Sequence, residues 1–240
     1  MATKVVDINA TNLAKSRRTL LLVWQDPNSR RFMKMGQLDA LEGNEYAFHY
    51  LPEATHPGFA PVAEFPLLDV AYVSNELPAF FANRVLSSDR PNFSQYIEWL
   101  GIADLDDYDI PVEVLARTGG GRATDTFHIV DQPRLHQGKL TGRFFVSGIR
   151  HVDDAAAVIA HLAAGDSLAL ELDRANPKNP KAVLINADDG RRIGFVPDWL
   201  CGEIHDGIQG GWRVSAIAER VNADAPPHVR VLCRLTAKTV

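Results

Sequence analysis

Cysteine is scarce in this chain. Cys201 and Cys233 are the only two, and neither has a partner motif. Neither a secreted disulfide framework nor a cysteine-based zinc site is therefore expected, and a reducing compartment is. Long apolar runs are missing as well: no stretch approaches the ~20 residues of a membrane-spanning helix. Met1 to Arg18 lacks the apolar centre of an export signal, so a cytoplasmic protein with no membrane contact is expected. Positive charge is not in excess, with 25 Lys and Arg against 30 Asp and Glu and a net charge of −5. The whole chain is thus no general polyanion binder.

The residue sets of the common catalytic chemistries are missing too. Ser147 precedes Gly148 without a Gly-x-Ser-x-Gly elbow, and no carboxylate pair stands out from the acidic background. Gly119-Gly120-Gly121-Arg122 lacks the Lys-Ser/Thr of a phosphate loop and reads as a turn. The eight histidines fall singly. Neither His128 and His136 with Asp131, nor the acidic run Asp104, Asp106, Asp107 and Asp109, has the pattern of a metal site. No enzyme, metal or cofactor is expected.

What is present is an ordinary globular composition, 46% apolar and 23% charged, on a chain long enough for two small cores. Charge is unevenly spread. From Leu140 onward 12 Lys and Arg balance 12 Asp and Glu, which leaves 13 against 18 before it. A neutral C-terminal half can bind nucleic acid only where its cations cluster, and then in a salt-sensitive way.

Periodicity divides the chain into two β-rich stretches. Met1 to Arg18 is weakly patterned and reads as a loose arm. Leu20–Trp24, Phe32–Leu38 and Tyr46–Leu51 read as strands, followed by an irregular proline-rich segment. Pro78 and Pro91 suit first turns of helices, the second with Phe93, Ile97 and Leu100 at helical spacing before Gly101. A helix over Asp109–Leu115 and a strand over Thr124–Val130 close this part, and 131–139 reads as a polar connector.

Beyond it, Phe144, Val146 and Ile149 lie in a strand-like run that exits through Arg150-His151 toward a helix over Ala155–Leu162, capped by Asp153 or Asp154. Ser167 to Asp173 alternates as a half-buried strand, and Asn176-Pro177 and Asn179-Pro180 turn the chain. Val183–Ile185, the turn Asp188-Asp189-Gly190 and Ile193–Val196 form a hairpin stopped by Pro197. A helix to Ile208 and strands over Trp212–Val221 and Val229–Thr236 follow.

Several side chains here suit a polynucleotide. Arg150 can hold phosphate and His151 can stack on a base. Lys178 and Lys181 flank the proline turn and are either phosphate contacts or plain surface charge. Arg191 and Arg192 sit beside Asp188 and Asp189 and read as surface charge. Phe195, Trp199 and Trp212 are either core side chains or stacking platforms.

The ordered set Gly148-Ile149-Arg150, Gly165-Asp166, Asn176-Pro177 with Ala182, and Gly190 with Ile193-Gly194-Phe195-Val196-Pro197 resembles the HIRAN domain over roughly Arg143 to Thr236. The resemblance implies an OB-like β-barrel with flanking helices that binds single-stranded DNA, at a free 3′ end in characterised eukaryotic members. Lys178 and Asn179 stand where the family often has an aromatic and an aspartate that hold the terminal nucleotide. Backbone contact through Arg150, Lys178 and Lys181 is expected, with Asn176 also counted among the nucleic-acid-binding residues and Asn179 bonding a sugar.

The N-terminal half, about Thr19 to Val130, resembles the N-terminal subdomain of HipA-type kinases, chiefly through Leu77-Pro78-Ala79-Phe80-Phe81-Ala82-Asn83-Arg84. That resemblance implies a small β-barrel that contacts a protein partner, without the kinase residues. The expected fold class is α+β. It comprises an arm over 1–18, two barrel-like domains over 19–130 and 140–240, each with flanking helices, and the connector between them. Single-stranded DNA or a DNA 3′ end is the expected partner. The alternative is a non-catalytic regulator of a toxin–antitoxin-like or phage-defence system that acts by protein contacts.

Overall fold

The computed structural model of the protein describes residues 4–7, 15–122 and 124–238. Contacts divide the chain into one unit of Met1–Ile97 with Ile102–Gln132 and a second of Glu98–Gly101 with Pro133–Val240.

In the first unit, β1 (Lys4–Asp7), β2 (Ser16–Gln25), β3 (Phe32–Leu41), β4 (Tyr46–Tyr50), β5 (Val70–Ser74) and β6 (Phe127–Asp131) form one antiparallel sheet in the order β1-β5-β4-β3-β2-β6. Helices α1 (Ala79–Ala82), α2 (Phe93–Leu100) and α3 (Ile110–Thr118) follow β5 in sequence. The core is aromatic. Phe48, Phe65 and Phe81 are fully buried with ring centroids 4.5 to 5.8 Å apart, over Leu20, Leu22, Met35 and Ile129. Gly36 makes room for this cluster, since a Cβ there would lie 2.7 Å from Phe48.

Two expectations change here. The sheet is a row with β1 and β6 at its edges rather than a barrel. Its core side is covered by helices that contribute Phe81, Val112 and Leu115, so no closing strand pair is needed to exclude water. The arm read over 1–18 is also partly structured, for Lys4–Asp7 pairs with Val70–Val73 and β2 begins at Ser16. Val5 and Val6 are too few to show alternation, and their partner lies more than 60 residues away in the sequence. The rest of that arm, 1–3 and 8–14, lies outside the described residues.

The stretch 131–139, read as a connector, carries the end of β6 and a short strand β7 (Arg134–His136). β7 folds back on β8 (Lys139–Phe145) through a two-residue turn at Gln137 and Gly138, both at positive φ. Such turns usually carry Asn-Gly or Asp-Gly, so Gln-Gly is a weak signal in sequence.

In the second unit, β8 continues into a 3₁₀ turn (Ile149–His151), α4 (Ala155–Ile159), β9 (Ser167–Leu172), β10 (Val183–Asn186), β11 (Arg192–Phe195), α5 (Asp198–Gln209), β12 (Arg213–Val221) and β13 (Val231–Lys238). The sheet order is β11-β10-β9-β12-β13-β8-β7. Immediately after β8, Ser147 pairs with Phe195 of β11, their N–H and C=O groups exchanging two 2.9 Å bonds. This bridge brings the two ends of the set β11 to β8 together and makes a partly closed, OB-like barrel. Its interior holds Phe144, Val146, Leu168, Val183, Ile185, Ile193, Cys233 and Leu235, capped by Leu200 and Ile204 of α5. α4 is shorter than expected, and Asp154 stands at its start with φ 61° and no side-chain cap bond.

Candidate nucleic-acid interface

Glycine decides where the barrel closes. A Cβ on Gly194 would lie 2.4 Å from Val146 Cγ1 and 2.6 Å from the Ser147 carbonyl oxygen, so only glycine lets β11 pass under the strand exit. Gly148 turns the exit at φ 69°, against the edge of the Phe195 ring. Arg150 and His151 then emerge exposed beside β11, with Arg150 Nε donating to His151 Nε2 at 3.0 Å.

β10 links this exit to the Asn-Pro corner. Phe195 is opposite Leu184, and the Val196 N–H donates to the Val183 carbonyl at 2.9 Å, so 173–182 lies at the same end of the strands. The fold therefore places the exit, Phe195 and the corner at one end of β10 and β11, the candidate notch.

Within the corner the asparagines are structural. Asn176 Oδ1 accepts the N–H groups of Lys178 (3.0 Å) and Asn179 (3.1 Å), while its Nδ2 donates to Asp173 (3.0 Å). Asn179 Oδ1 accepts the Lys181 N–H at 2.9 Å. Its Nδ2 donates to Asp198 Oδ1 at 3.0 Å and Cys201 Sγ at 3.1 Å. These are Asx-type turns that pin the corner to the start of α5. The sugar contact expected of Asn179 is thus displaced, because its amide is already satisfied on both sides. Burial pushes the Cys201 thiol above its ordinary range.

The lysines differ. Lys181 Nζ sits 2.6 Å from Asp206, whose carboxyl is held below its usual range by Lys181 and then by His205 at 3.2 Å. Lys178 is exposed and its ammonium meets no carboxylate among the described residues.

Arg192, read from sequence as surface charge, joins the site. The ladder shifts between Ile185 and Asn186: Phe195 faces Leu184, Gly194 faces Ile185 and Arg192 faces Asn186. The extra residue, Ile193, changes the parity of the strand and brings Arg192 and Phe195 to one side. The Arg192 guanidinium lies 5.7 Å from the Phe195 ring centroid. Strict alternation would have placed the two on opposite faces, and only the glycine before Phe195 hints at the bulge. Phe195 itself is half-buried, so one part of its ring packs and another faces outward.

The other candidates fall elsewhere. Trp212 packs against Gly207, where a Cβ would lie 2.6 Å from its ring, and Trp199 packs partly on the barrel core. Arg191 is paired with Asp189 at 2.6 Å. His128 faces Val23 and Asp131 faces Leu20 in the first sheet, and His136 is in β7. Among the described residues no group of three or more His, Cys, Asp or Glu could hold a metal. Gly119 ends α3 at φ 77° and its carbonyl accepts the Ile129 N–H, so the triple glycine is a turn. An open depression of about 430 Å³ lies away from the notch, lined by Ile159, Leu162, Arg220 and Val221. No helix among the described residues is long and apolar enough to cross a membrane.

Comparison with known proteins bears on this second unit. Residues 139–239 match the family model described as the HIRAN domain. None of the curated proteins compared matches the sequence. Among solved structures, a protein from Lactobacillus plantarum is 17% identical over 42% of this chain and 93% of its own, with a TM-score of 0.36. The HIRAN domain of human HLTF is 19% identical over 42% of this chain and 74% of its own, with a TM-score of 0.33. The same human domain in its DNA-bound conformation is also 19% identical, over 42% of this chain and 75% of its own, with a TM-score of 0.30.

Proposed function

We propose, taking residues 139–239 as a HIRAN domain, that the protein is a non-catalytic, cytoplasmic DNA-binding protein whose C-terminal unit holds a single strand in the notch around Phe195. The observation that carries this reading is the Ser147–Phe195 bridge, which sets Arg150 and His151 beside the half-buried ring and at the same end of the strands as Lys178. Arg150 and Lys178 bind phosphate, and the Phe195 edge with Arg192 over it stacks a base. His151, already accepting from Arg150, orients that guanidinium and lines the notch. Lys181 contributes more weakly because Asp206 competes for it. DNA is the partner that the family match favours, the human HLTF HIRAN domain being described in a DNA-bound conformation. A free 3′ end is the preferred ligand in this reading.

Fluorescence anisotropy with single-stranded oligonucleotides, 3′ ends free or blocked, tests it. Arg150→Ala and Phe195→Ala are each expected to weaken binding by about tenfold, the scale of a single phosphate or stacking interaction. Unchanged binding by both variants would remove the notch, and indifference to blocking would remove end preference. In the same reading the N-terminal unit, which resembles the HipA-type subdomain in sequence motifs only, docks a protein partner.

A second reading draws on one observation: Asn179 and Lys181 are already engaged by α5. In it both units make protein contacts, as in a regulator of a toxin–antitoxin-like or phage-defence system. Absence of single-strand binding at low salt would favour it.

A further inference from the structure

The outer face of the second sheet carries a concentration of charge that the notch does not use. On β8, Leu140 and Phe144 point into the core, so Lys139, Thr141 and Arg143 point out. On β13, Cys233, Leu235 and Ala237 point in, so Arg234, Thr236 and Lys238 point out. On β12, Ala216 and Ala218 point in, and Arg213, Ser215 and Ile217 point out. Arg134 of β7 faces Thr141 and lies on the same outer side.

Register aligns these side chains in rows. Lys139, Lys238 and Arg213 are direct cross-strand neighbours at one end. Thr141, Thr236 and Ser215 form the next row, and Arg143 with Arg234 the one after. Like charges placed directly opposite one another destabilise a sheet, and here they recur across three strands. Among the described residues one carboxylate answers them: Glu219, displaced by the β12 irregularity, lies 2.8 Å from Arg143 and 3.8 Å from Arg234. Lys139, Arg213 and Lys238 are exposed and have no ion-pair partner among the described residues.

We infer that this face is a second nucleic-acid surface, one that binds the phosphate backbone of a DNA duplex. The two cationic rows are four residues apart, about 13 Å along the strands. That separation matches the ~12 Å major groove that divides the two phosphate chains of B-DNA. The hydroxyls between the rows suit phosphate and sugar oxygens. None of these three rows carries an aromatic, and Phe145, next along β8 on the same side, is buried, so the base stacking that single-strand binding relies on is lacking. Contact made only with the backbone is independent of sequence and steeply salt-dependent. The inference does not rest on the notch, which lies at the closure of the barrel around β11.

The test uses the full chain and a fluorescent duplex of about 20 base pairs with hairpin-closed ends, titrated between about 50 and 200 mM salt. The variants are Lys139→Ala/Arg213→Ala/Lys238→Ala, Glu219→Gln and Arg150→Ala. The triple variant is expected to bind about tenfold or more weakly at the low-salt end. Its log–log salt slope should be flatter by about 2 to 3, at ~0.9 for each phosphate no longer neutralised. Glu219→Gln, which frees Arg143 and Arg234, is expected to bind more tightly, and Arg150→Ala to match the parent. Absence of duplex binding, an unchanged slope in the triple variant, or equal weakening in Arg150→Ala would each overturn the inference. Closed ends keep this outcome separate from that of the single-strand titration.

Discussion

Gly194 is the residue whose replacement has the most direct structural consequence. An added methyl would stand inside contact distance of both Val146 and the Ser147 carbonyl. One of these is backbone and cannot rotate away. Gly194→Ala is therefore expected to cost about 1–3 kcal/mol, the range of an overpacked core, and to open the Ser147–Phe195 bridge. Denaturant unfolding would check the first effect, and loss of single-strand binding in the surviving folded fraction the second. Asn179 is a comparable case on the polar side, since Asn179→Ala removes the bonds to Asp198, Cys201 and the Lys181 N–H together. A loss of about 1–3 kcal/mol is expected. Asn179→Asp would tell geometry from charge: it keeps the acceptor for Lys181 but sets a carboxylate against Asp198, and should be no better than alanine.

Among the elements, α5 shows how alike two glycines look in sequence and how differently they stand in the fold. Gly202 has only the Lys181 side chain near its would-be Cβ, at 3.9 Å, and its backbone is ordinary helix. Gly207, five residues on, has the Trp212 ring at 2.6 Å. Gly202→Ala should raise stability by about 0.5–1 kcal/mol through helix propensity. Gly207→Ala should lower it by displacing Trp212, and tryptophan fluorescence alongside thermal melts would report both. The strand β11 illustrates the same lesson. Its hairpin, its proline stop and its apolar content are legible locally, whereas its bulge is set by what crosses it.

Across the whole chain, burial of histidine links stability to pH. His49 and His128 in the first unit and His228 in the second are all held below the ordinary imidazole range, burial being the leading cause in each. Nearby carboxylates oppose this in the first two, Asp39 for His49 and Asp125 for His128. In the unfolded chain these rings take up protons near pH 6.5, while in the folded chain they resist until lower pH. The unfolded state thus binds more protons as pH falls below about 6.5, and stability is full above that value and declines below it. Chemical denaturation at pH 7.5 and pH 5.5 should show this decline. The variant His49→Gln/His128→Gln should show a smaller one even if its stability at pH 7.5 is reduced, and an unchanged pH dependence would assign the effect to other groups.

Features that depend on near neighbours are legible in the order of the residues. Alternation in Ser167–Asp173 marked β9, the paired Asn-Pro steps marked the corner, and the ordered glycine, asparagine and proline motifs marked roughly Arg143 to Thr236 as HIRAN-like, within the 139–239 that the family model matches. These signals are local because turn chemistry and side-chain alternation act over two to five residues. The tertiary structure alone decided what depends on strands distant in sequence: Lys4–Asp7 on Val70–Val73, Ser147 on Phe195, and Arg192 on the same side as that ring. It also decided that Asn179 and Lys181 face α5 and that Lys139, Arg213 and Lys238 share a row. Register between strands is set by the sum of core packing on one face, and a single bulge reverses every side chain beyond it. The positions of the cations therefore could not be read from the order of the residues.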